Sequence, residues 1–347
     1  MASTETGATT EAAVLAFLGQ PGSYPEPTSR VTQVETHLSW VFLTDDCAYK
    51  LKKTLKRPFL DLSTLAARER NCRAELRLNR RLAAEIYLAV VPVVRTAEGG
   101  LRLGGPGAPV EWTVKMRRLP TAHMLDVAIR RGTADLARLR AVAARLCRFH
   151  RQARPVALDG ATLRAAQHDA HAANQAALDA GGYGLDRAAL RTTAGRLEAY
   201  LLTRAETFDA RARQGQIVEG HGDLRPEHVY LGPPPLFIDC LEFSRALRLL
   251  DPLEELAGLS LECEFVGAAW VGRFVHGVYA LECHDQAPAS LSAFYGGMRG
   301  LLRAKLCAWH VHDLPPEVHA HWLARAARYL ALAGAHAAHC ADALSAQ

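Results

Sequence analysis

The chain has no run of about 18 apolar residues, so no stretch of it reads as a membrane span. Its eight cysteines (Cys47, Cys72, Cys147, Cys240, Cys263, Cys283, Cys307 and Cys340) include no C-x-x-C pair. At 347 residues a disulfide framework is not needed to hold a core, and free thiols in a reducing cytoplasm are the expectation. The histidine pairs His168/His171, His310/His312, His319/His321 and His336/His339 have no third ligand at a metal-site spacing, so zinc is not expected. No G-x-x-x-x-G-K-[ST] occurs, which excludes a P-loop within the sequence. Aromatic residues are 7% and are not interleaved with basic ones, so nucleic acid is not an expected partner, and neither is a membrane. The first residues, MASTETGATTEA, are polar and acidic and do not resemble a signal peptide.

What is present is a globular composition, 49% hydrophobic and 22% charged, long enough for one large domain or two lobes. The net charge of +5, mostly arginine, suits an anionic ligand. Residues 1–9 read as a tail, Thr10 as the cap of a helix over 11–19, and 21–27 as a linker. Strand-prone runs follow at 31–35, 40–43, 48–52, 88–94 (interrupted at Pro92) and 110–116, with a glycine-proline hairpin over 99–109. A helix capped by Ser63 is expected over 63–84. Beyond Pro120 the chain turns helical and alanine-rich, with helices over 133–153, 163–180, 188–213, 253–265, 268–283, 291–311 and from 316 on. The organisation expected is α+β, with an N-terminal helix and linker (1–27), a small β-rich lobe (28–117) and a larger helical lobe (118–347).

In Ala48-Tyr49-Lys50-Leu51-Lys52-Lys53 the strand period puts Lys50 and Lys52 on one face and Lys53 on the other. Lysines on such a strand bind nucleotide phosphates when a glutamate on the following helix holds them, and they serve equally as solvated edge residues. Glu69 and Glu75 are the candidate partners, with Glu75 preferred because it lies deeper in the helix.

The most informative stretch is 217–243, IVEGHGDLRPEHVYLGPPPLFIDCLEF. It reads as a loop carrying an acid, Asp223, then a short hairpin, then a second acid, Asp239, where the returning strand ends. Such a pair suits phosphoryl transfer. One carboxylate orients a hydroxyl and accepts its proton, and the other holds magnesium on the phosphates. His228 stands five residues after Asp223, where kinase catalytic loops carry a metal-binding Asn.

H-G-D-L-R-P-E-H followed by I-D-C-L-E-F resembles the Brenner-type motif of aminoglycoside phosphotransferase-like enzymes, whose fold is protein-kinase-like. The likeness extends over about 34–264 through E-T-H-x-S-W-V-F-L, Y-K-x-K-K, E-L-R-L-N-R-R-L and V-K-M-R-R, and is closest to an uncharacterised bacterial branch. Some members of that branch carry a second, P-loop kinase domain, and this sequence is expected to be the stand-alone form. The resemblance implies a two-lobed kinase-like fold with ATP (or GTP) and Mg2+ between the lobes, and phosphorylation of a hydroxyl on a small molecule. It implies Asp223 as base, Asp239 as magnesium ligand, Lys50 (or Lys52) as phosphate ligand and Glu75 as its partner. It places Ser39 at the phosphate loop and Met116, Arg117 and Leu119 at an adenine-binding hinge. His228 would contact a phosphate or the metal, and His221, Arg225 and Glu242 are further site candidates. His228 and the missing glycines of the phosphate loop keep a nucleotide-binding pseudokinase as the alternative. The acceptor is not legible.

Overall fold

The computed structural model describes residues 11–57 and 60–346, so the expected tail and the Thr10 cap lie outside the described residues. The chain divides into two compact units. The first comprises the chain up to Met124 together with Leu236–Ala246, and the second comprises Leu125–Pro235 and Leu247 onward.

The first unit is built on a six-stranded antiparallel sheet. Its strands are β1 (Thr32–Glu35), β2 (Ser39–Leu43), β3 (Cys47–Lys52), β6 (Tyr87–Arg95), β7 (Leu101–Leu103) and β8 (Ala108–Arg117), in the order β1-β2-β3-β8-β6-β7. Two short strands, β4 (Lys56–Arg57) and β5 (Leu60–Asp61), pair separately. Alternation along β3 divides its side chains between two environments. Tyr49 and Leu51 enter an apolar cluster with Phe42, Val93 and the helix α1 (11–18), through Val14 and Leu18. Lys50 and Lys52 point the other way, where Glu75 of helix α2 (Leu65–Ala83) meets them.

Two local expectations change. Thr64 caps α2, its side chain accepting from the Ala67 N–H, because Ser63 is engaged by the Asp61 carboxylate at 2.5 Å. Pro92 does not interrupt β6. It pairs in register with Trp112, and its carbonyl accepts from the Gly104 N–H at 2.7 Å. A proline costs a strand only the N–H it lacks, and here it offers its acceptor.

The second unit is helical. Its helices are α3 (Leu125–Arg131), α4 (Leu136–Gln152), α5 (Gly160–Ala180), α6 (Arg187–Thr203), α7 (Ala205–Arg213), α8 (Pro252–Phe265), α9 (Ala269–Cys283), α10 (Ala289–Trp309) and α11 (His319–Ser345). Asp135, Asp159, Asp186 and Asp251 cap α4, α5, α6 and α8 with their carboxylates. The single helix expected over 188–213 is two, broken at Arg204 (φ −102°, ψ 30°). Helices α10 and α11 approach closely at Gly300, where a Cβ would lie 2.8 Å from that of Ala333. Ala333 of α11 fills that contact. Among the described residues no helix is long and apolar enough to cross a membrane.

The cysteine expectation needs correction. Cys147 on α4 is disulfide-bonded to Cys283 on α9, because packing of these helices brings their Cα atoms to 5.7 Å. Six cysteines remain free and buried. Thiol titration of the denatured, unreduced protein should therefore return six groups, rising to eight after reduction. Eight before reduction would refute the bond.

The stretch 217–243 is shared between the units. Strand β9 (Val218–Glu219) pairs with β12 (Leu249–Leu250) in the second unit, followed by the His221-Gly222-Asp223 loop, a 3₁₀ turn (Pro226–His228) and β10 (Val229–Tyr230). After Gly232 and three prolines, β11 (Leu236–Phe237) and the residues through Ala246 belong to the first unit.

Candidate active site

The first unit gathers five charged side chains into one network. The Lys50 ammonium lies 2.9 Å from Glu75 and 2.5 Å from Asp239. The Lys52 ammonium contacts the other Glu75 oxygen and lies 2.7 Å from Glu242. Strand, helix and the returning segment thus supply two cations and three carboxylates. Exposure separates the two lysines. The Lys50 side chain is 13% exposed and Lys52 only 1%, so Lys50 is the one a ligand can reach and Lys52 is sealed between Glu75 and Glu242. Lys53, on the opposite face, pairs with Glu35, and Glu69 pairs with Arg73 on the surface of α2.

Burial alone would push the Lys50 pKa down, but Asp239, Glu75 and Glu242 outweigh it and hold the pKa well above the usual lysine value. Lys52 is likewise raised against burial by Glu242 and Glu75. Burial pushes the Glu75 carboxyl up, and Lys50 and Lys52 together bring it below its ordinary value. All three groups are charged at neutral pH.

Asp239 sits at φ 60°, a left-handed conformation uncommon outside glycine. Its N–H donates to the Tyr87 hydroxyl at 2.9 Å, and the next N–H, of Cys240, donates to Asn79 Oδ1 at 2.8 Å. These bonds fix the turn that aims the carboxylate at Lys50. Ser39 ends the tight turn from Thr36, its N–H donating to Thr36 Oγ1 at 3.0 Å, and is 1% exposed. Met116 and Arg117 close β8, Met116 opposite both Ala48 and Tyr87, and the Arg117 N–H donates to the Ile86 carbonyl at 2.8 Å. Leu119 follows, half-buried.

The second unit holds the His221-Gly222-Asp223 loop on a buried carboxylate. Glu255 of α8 accepts the N–H groups of His221 and Gly222 with Oε1, the latter at 2.5 Å. Its Oε2 lies 2.9 Å from His150 Nε2, and His150 Nδ1 lies 3.0 Å from the Tyr279 hydroxyl. Burial raises the Glu255 carboxyl, but His150, His221 and the Gly222 N–H bring it to about 2. Asp223 keeps 37% of its side chain exposed. Desolvation of its carboxylate works against ionisation, and His228, Arg225, Arg303 and His221 overcome it, holding the pKa below the ordinary value. His228 bonds the Asp223 carbonyl through Nδ1 at 2.7 Å, and its ring stacks on His221 at 6.0 Å. Arg225 pairs with Glu227 and stands 3.9 Å from Asp223 Oδ2.

The geometry therefore joins Lys50, Lys52, Glu75, Asp239 and Glu242 in one set, and His221, Asp223, Arg225 and His228 in another. Glu255, His150 and Tyr279 were not anticipated. The available signal was a glutamate amid the apolar Leu253, Leu256, Ala257 and Leu259 of α8, and a histidine on the apolar stripe of α4, two buried polar groups that needed each other.

An antiparallel sheet with one helix of charged partners, a helical unit, and an acid-bearing loop make up the protein-kinase-like fold, and this chain has it. The same fold is seen in a choline/ethanolamine kinase family protein of Mesorhizobium loti (TM-score 0.52, 16% identity, covering 98% of this chain and 99% of that one). It is also seen in choline kinase from Cryptosporidium parvum Iowa II (TM-score 0.53, 11% identity, covering 93% and 94%). No protein-family model matches the chain. Uncharacterized proteins of Mycobacterium tuberculosis and Mycobacterium bovis are 33% identical over 318 residues, 88% of this chain and 59% of theirs. The chain thus spans less than two thirds of the length of these relatives.

Proposed function

We propose that the protein is an ATP- (or GTP-) dependent phosphotransferase of the aminoglycoside phosphotransferase-like family, acting in the cytoplasm on a hydroxyl of a small molecule. The observation that carries this reading is the Lys50–Glu75–Asp239 arrangement, a partly exposed lysine held between a fully buried glutamate and an exposed aspartate. Lys50 binds phosphate oxygens, and Glu75 keeps it extended and charged. Asp223, ionised at neutral pH, orients the acceptor hydroxyl and takes its proton. The backbone at Met116, Arg117 and Leu119 binds the adenine, and Ser39, only 1% exposed, holds the turn at the start of β2 rather than touching phosphate.

The donor chemistry at Asp239 fits magnesium. The ion favours carboxylate oxygens, keeps several waters and takes only one or two protein ligands beside the phosphates. Asp239 offers a carboxylate with a side chain 43% exposed. Bound there, magnesium would neutralise phosphate charge. His228 is the weaker ligand, since magnesium prefers oxygen donors to an imidazole nitrogen.

The histidine at position 228, where kinase catalytic loops carry a metal-binding Asn, favours a second reading, a nucleotide-binding pseudokinase with a regulatory or scaffold role. Thermal shift with ATP, with and without magnesium, separates these readings from an unrelated function, and ADP formation over a metabolite panel separates them from each other. ATP with magnesium should raise the melting temperature of the wild type. Lys50→Met should weaken ATP at least about tenfold, the loss of one charge-assisted contact. Glu69→Gln, at the surface pair with Arg73, should leave it unchanged. No shift with any nucleotide would sink both readings, and a shift without turnover would favour the pseudokinase.

A further inference from the structure

Strand β3 presents two lysines to the network where one cation suffices to bind phosphate. The second, Lys52, is too enclosed to meet a ligand, with its side chain 1% exposed. What it does is join two elements. Its ammonium contacts Glu75 Oε2 on α2 and lies 2.7 Å from Glu242 Oε1, 190 residues further along the chain. Glu75 is fully buried and Glu242 is 8% exposed, so both contacts are shielded from water. Stability is a weak reason for such a cluster. Buried ion pairs cost desolvation, and apolar side chains of like volume often serve as well. What the ions supply here is register, since one cation fixes an α2 carboxylate against the returning segment.

Lys50 sits between the same two elements, 2.9 Å from Glu75 Oε1 and 2.5 Å from Asp239 Oδ1. Unlike Lys52, it is contested when the site is loaded. Phosphate oxygens draw its ammonium, and a magnesium ion on Asp239 would repel it at close range. The Lys50–Asp239 pair therefore weakens as ligands bind, and other contacts must keep Asp239 in place. Two main-chain bonds do so, the Asp239 N–H on Tyr87 and the Cys240 N–H on Asn79. The Lys52–Glu242 pair, just past Asp239, adds a charged contact for which no ligand competes.

We propose that Lys52 is a positioning residue for the nucleotide–magnesium site. Through Glu242 and Glu75 it holds the Asp239 turn against α2 while Lys50 engages the phosphates. The inference rests on the phosphotransferase reading and divides the two lysines between holding and binding. Loss of the Lys52–Glu242 bridge should then harm the contribution of magnesium to ATP binding more than ATP binding itself, because Lys50 and Glu75 remain to meet the phosphates.

The test is ATP binding by the full chain, measured by calorimetry with and without magnesium, alongside the melting temperature without ligand. The readout is the magnesium factor, the ratio of the two dissociation constants. Lys52→Met should lower this factor about tenfold, the lower end of what a metal loses when the support of its ligand is removed. Magnesium-free affinity should change far less. Combining Lys52→Met with Glu242→Met removes both charges together, so no carboxylate is left buried alone, and the factor should fall equally. If Lys52→Met does not fold, the double variant decides. A wild-type factor in the folded variant overturns the proposal. So does an equal loss of affinity with and without magnesium, which a merely structural role would give. Were Glu242 itself a magnesium ligand, Lys52→Met would release it and raise the factor, which also overturns the proposal. So does a wild type that binds ATP no better with magnesium. A wild type that binds no nucleotide strikes the phosphotransferase reading, and the proposal with it.

Discussion

Asp223→Asn should lower phosphoryl transfer by about 10²–10⁴-fold, the usual contribution of a positioned general base, while nucleotide-induced thermal stabilisation persists. The amide keeps the size of the side chain and one oxygen, so it can still orient a hydroxyl, but it cannot accept the proton. The loop should hold its place, because its anchors are the His221 and Gly222 N–H groups on Glu255 and not the Asp223 side chain. The arginines beside it, Arg225 and Arg303, lose a counter-charge on a partly exposed group, so stability should change little. ADP formation with a reacting acceptor is the measurement. An Asn variant that works at the wild-type rate would show that another group takes the proton.

Glu255→Gln should act in the opposite way, on stability first. The Glu255 carboxyl lies at about 2 in the folded protein against an ordinary 4.5. Its folded value is the depressed one, so the ionised group stabilises the fold above the unfolded value. The contribution fades as the pH falls from about 4.5 towards 2. The difference corresponds to about 3 kcal/mol at neutral pH. Gln keeps an acceptor for the backbone N–H groups but removes the charge opposite His150, so urea unfolding at neutral pH should show most of that loss. Between pH 5 and 2, as read from the same shift, the wild type should lose stability more steeply than the variant. Parallel acid limbs would mean that Glu255 is not the group responsible.

How much of this was legible depended on the range of each interaction. Strand period alone put Lys50 and Lys52 on one face and Lys53 on the other, because alternation is set by the backbone. Depth in the helix separated Glu75 from Glu69, and α2 buries the former while the latter pairs with Arg73 outside. The kinase-like fold was legible through the resemblance carried by H-G-D-L-R-P-E-H and I-D-C-L-E-F, while the spacing of Asp223 and Asp239 by itself spoke only for paired carboxylates. Contacts across long sequence separations that no motif marks were not legible. Glu255 supports a loop more than thirty residues earlier by accepting backbone N–H groups, which carry no residue signature. Cys147 and Cys283 are 136 residues apart and meet only because α4 packs on α9. The break at Arg204 has no glycine or proline to announce it. The choice between Lys50 and Lys52 needed their exposures, which the pattern of a strand does not contain.

The first unit is completed by a segment that the ribosome delivers late. Its sheet and α2 are synthesised by Met124, yet Asp239 and Glu242 arrive only after all of Leu125–Pro235. At about 5–20 residues per second that interval is on the order of ten seconds. Until they arrive, Glu75 is the one carboxylate of this network yet made to pair with Lys50 and Lys52. The charge balance of the residues proposed to handle phosphate is therefore completed only when the second acid-bearing segment is made.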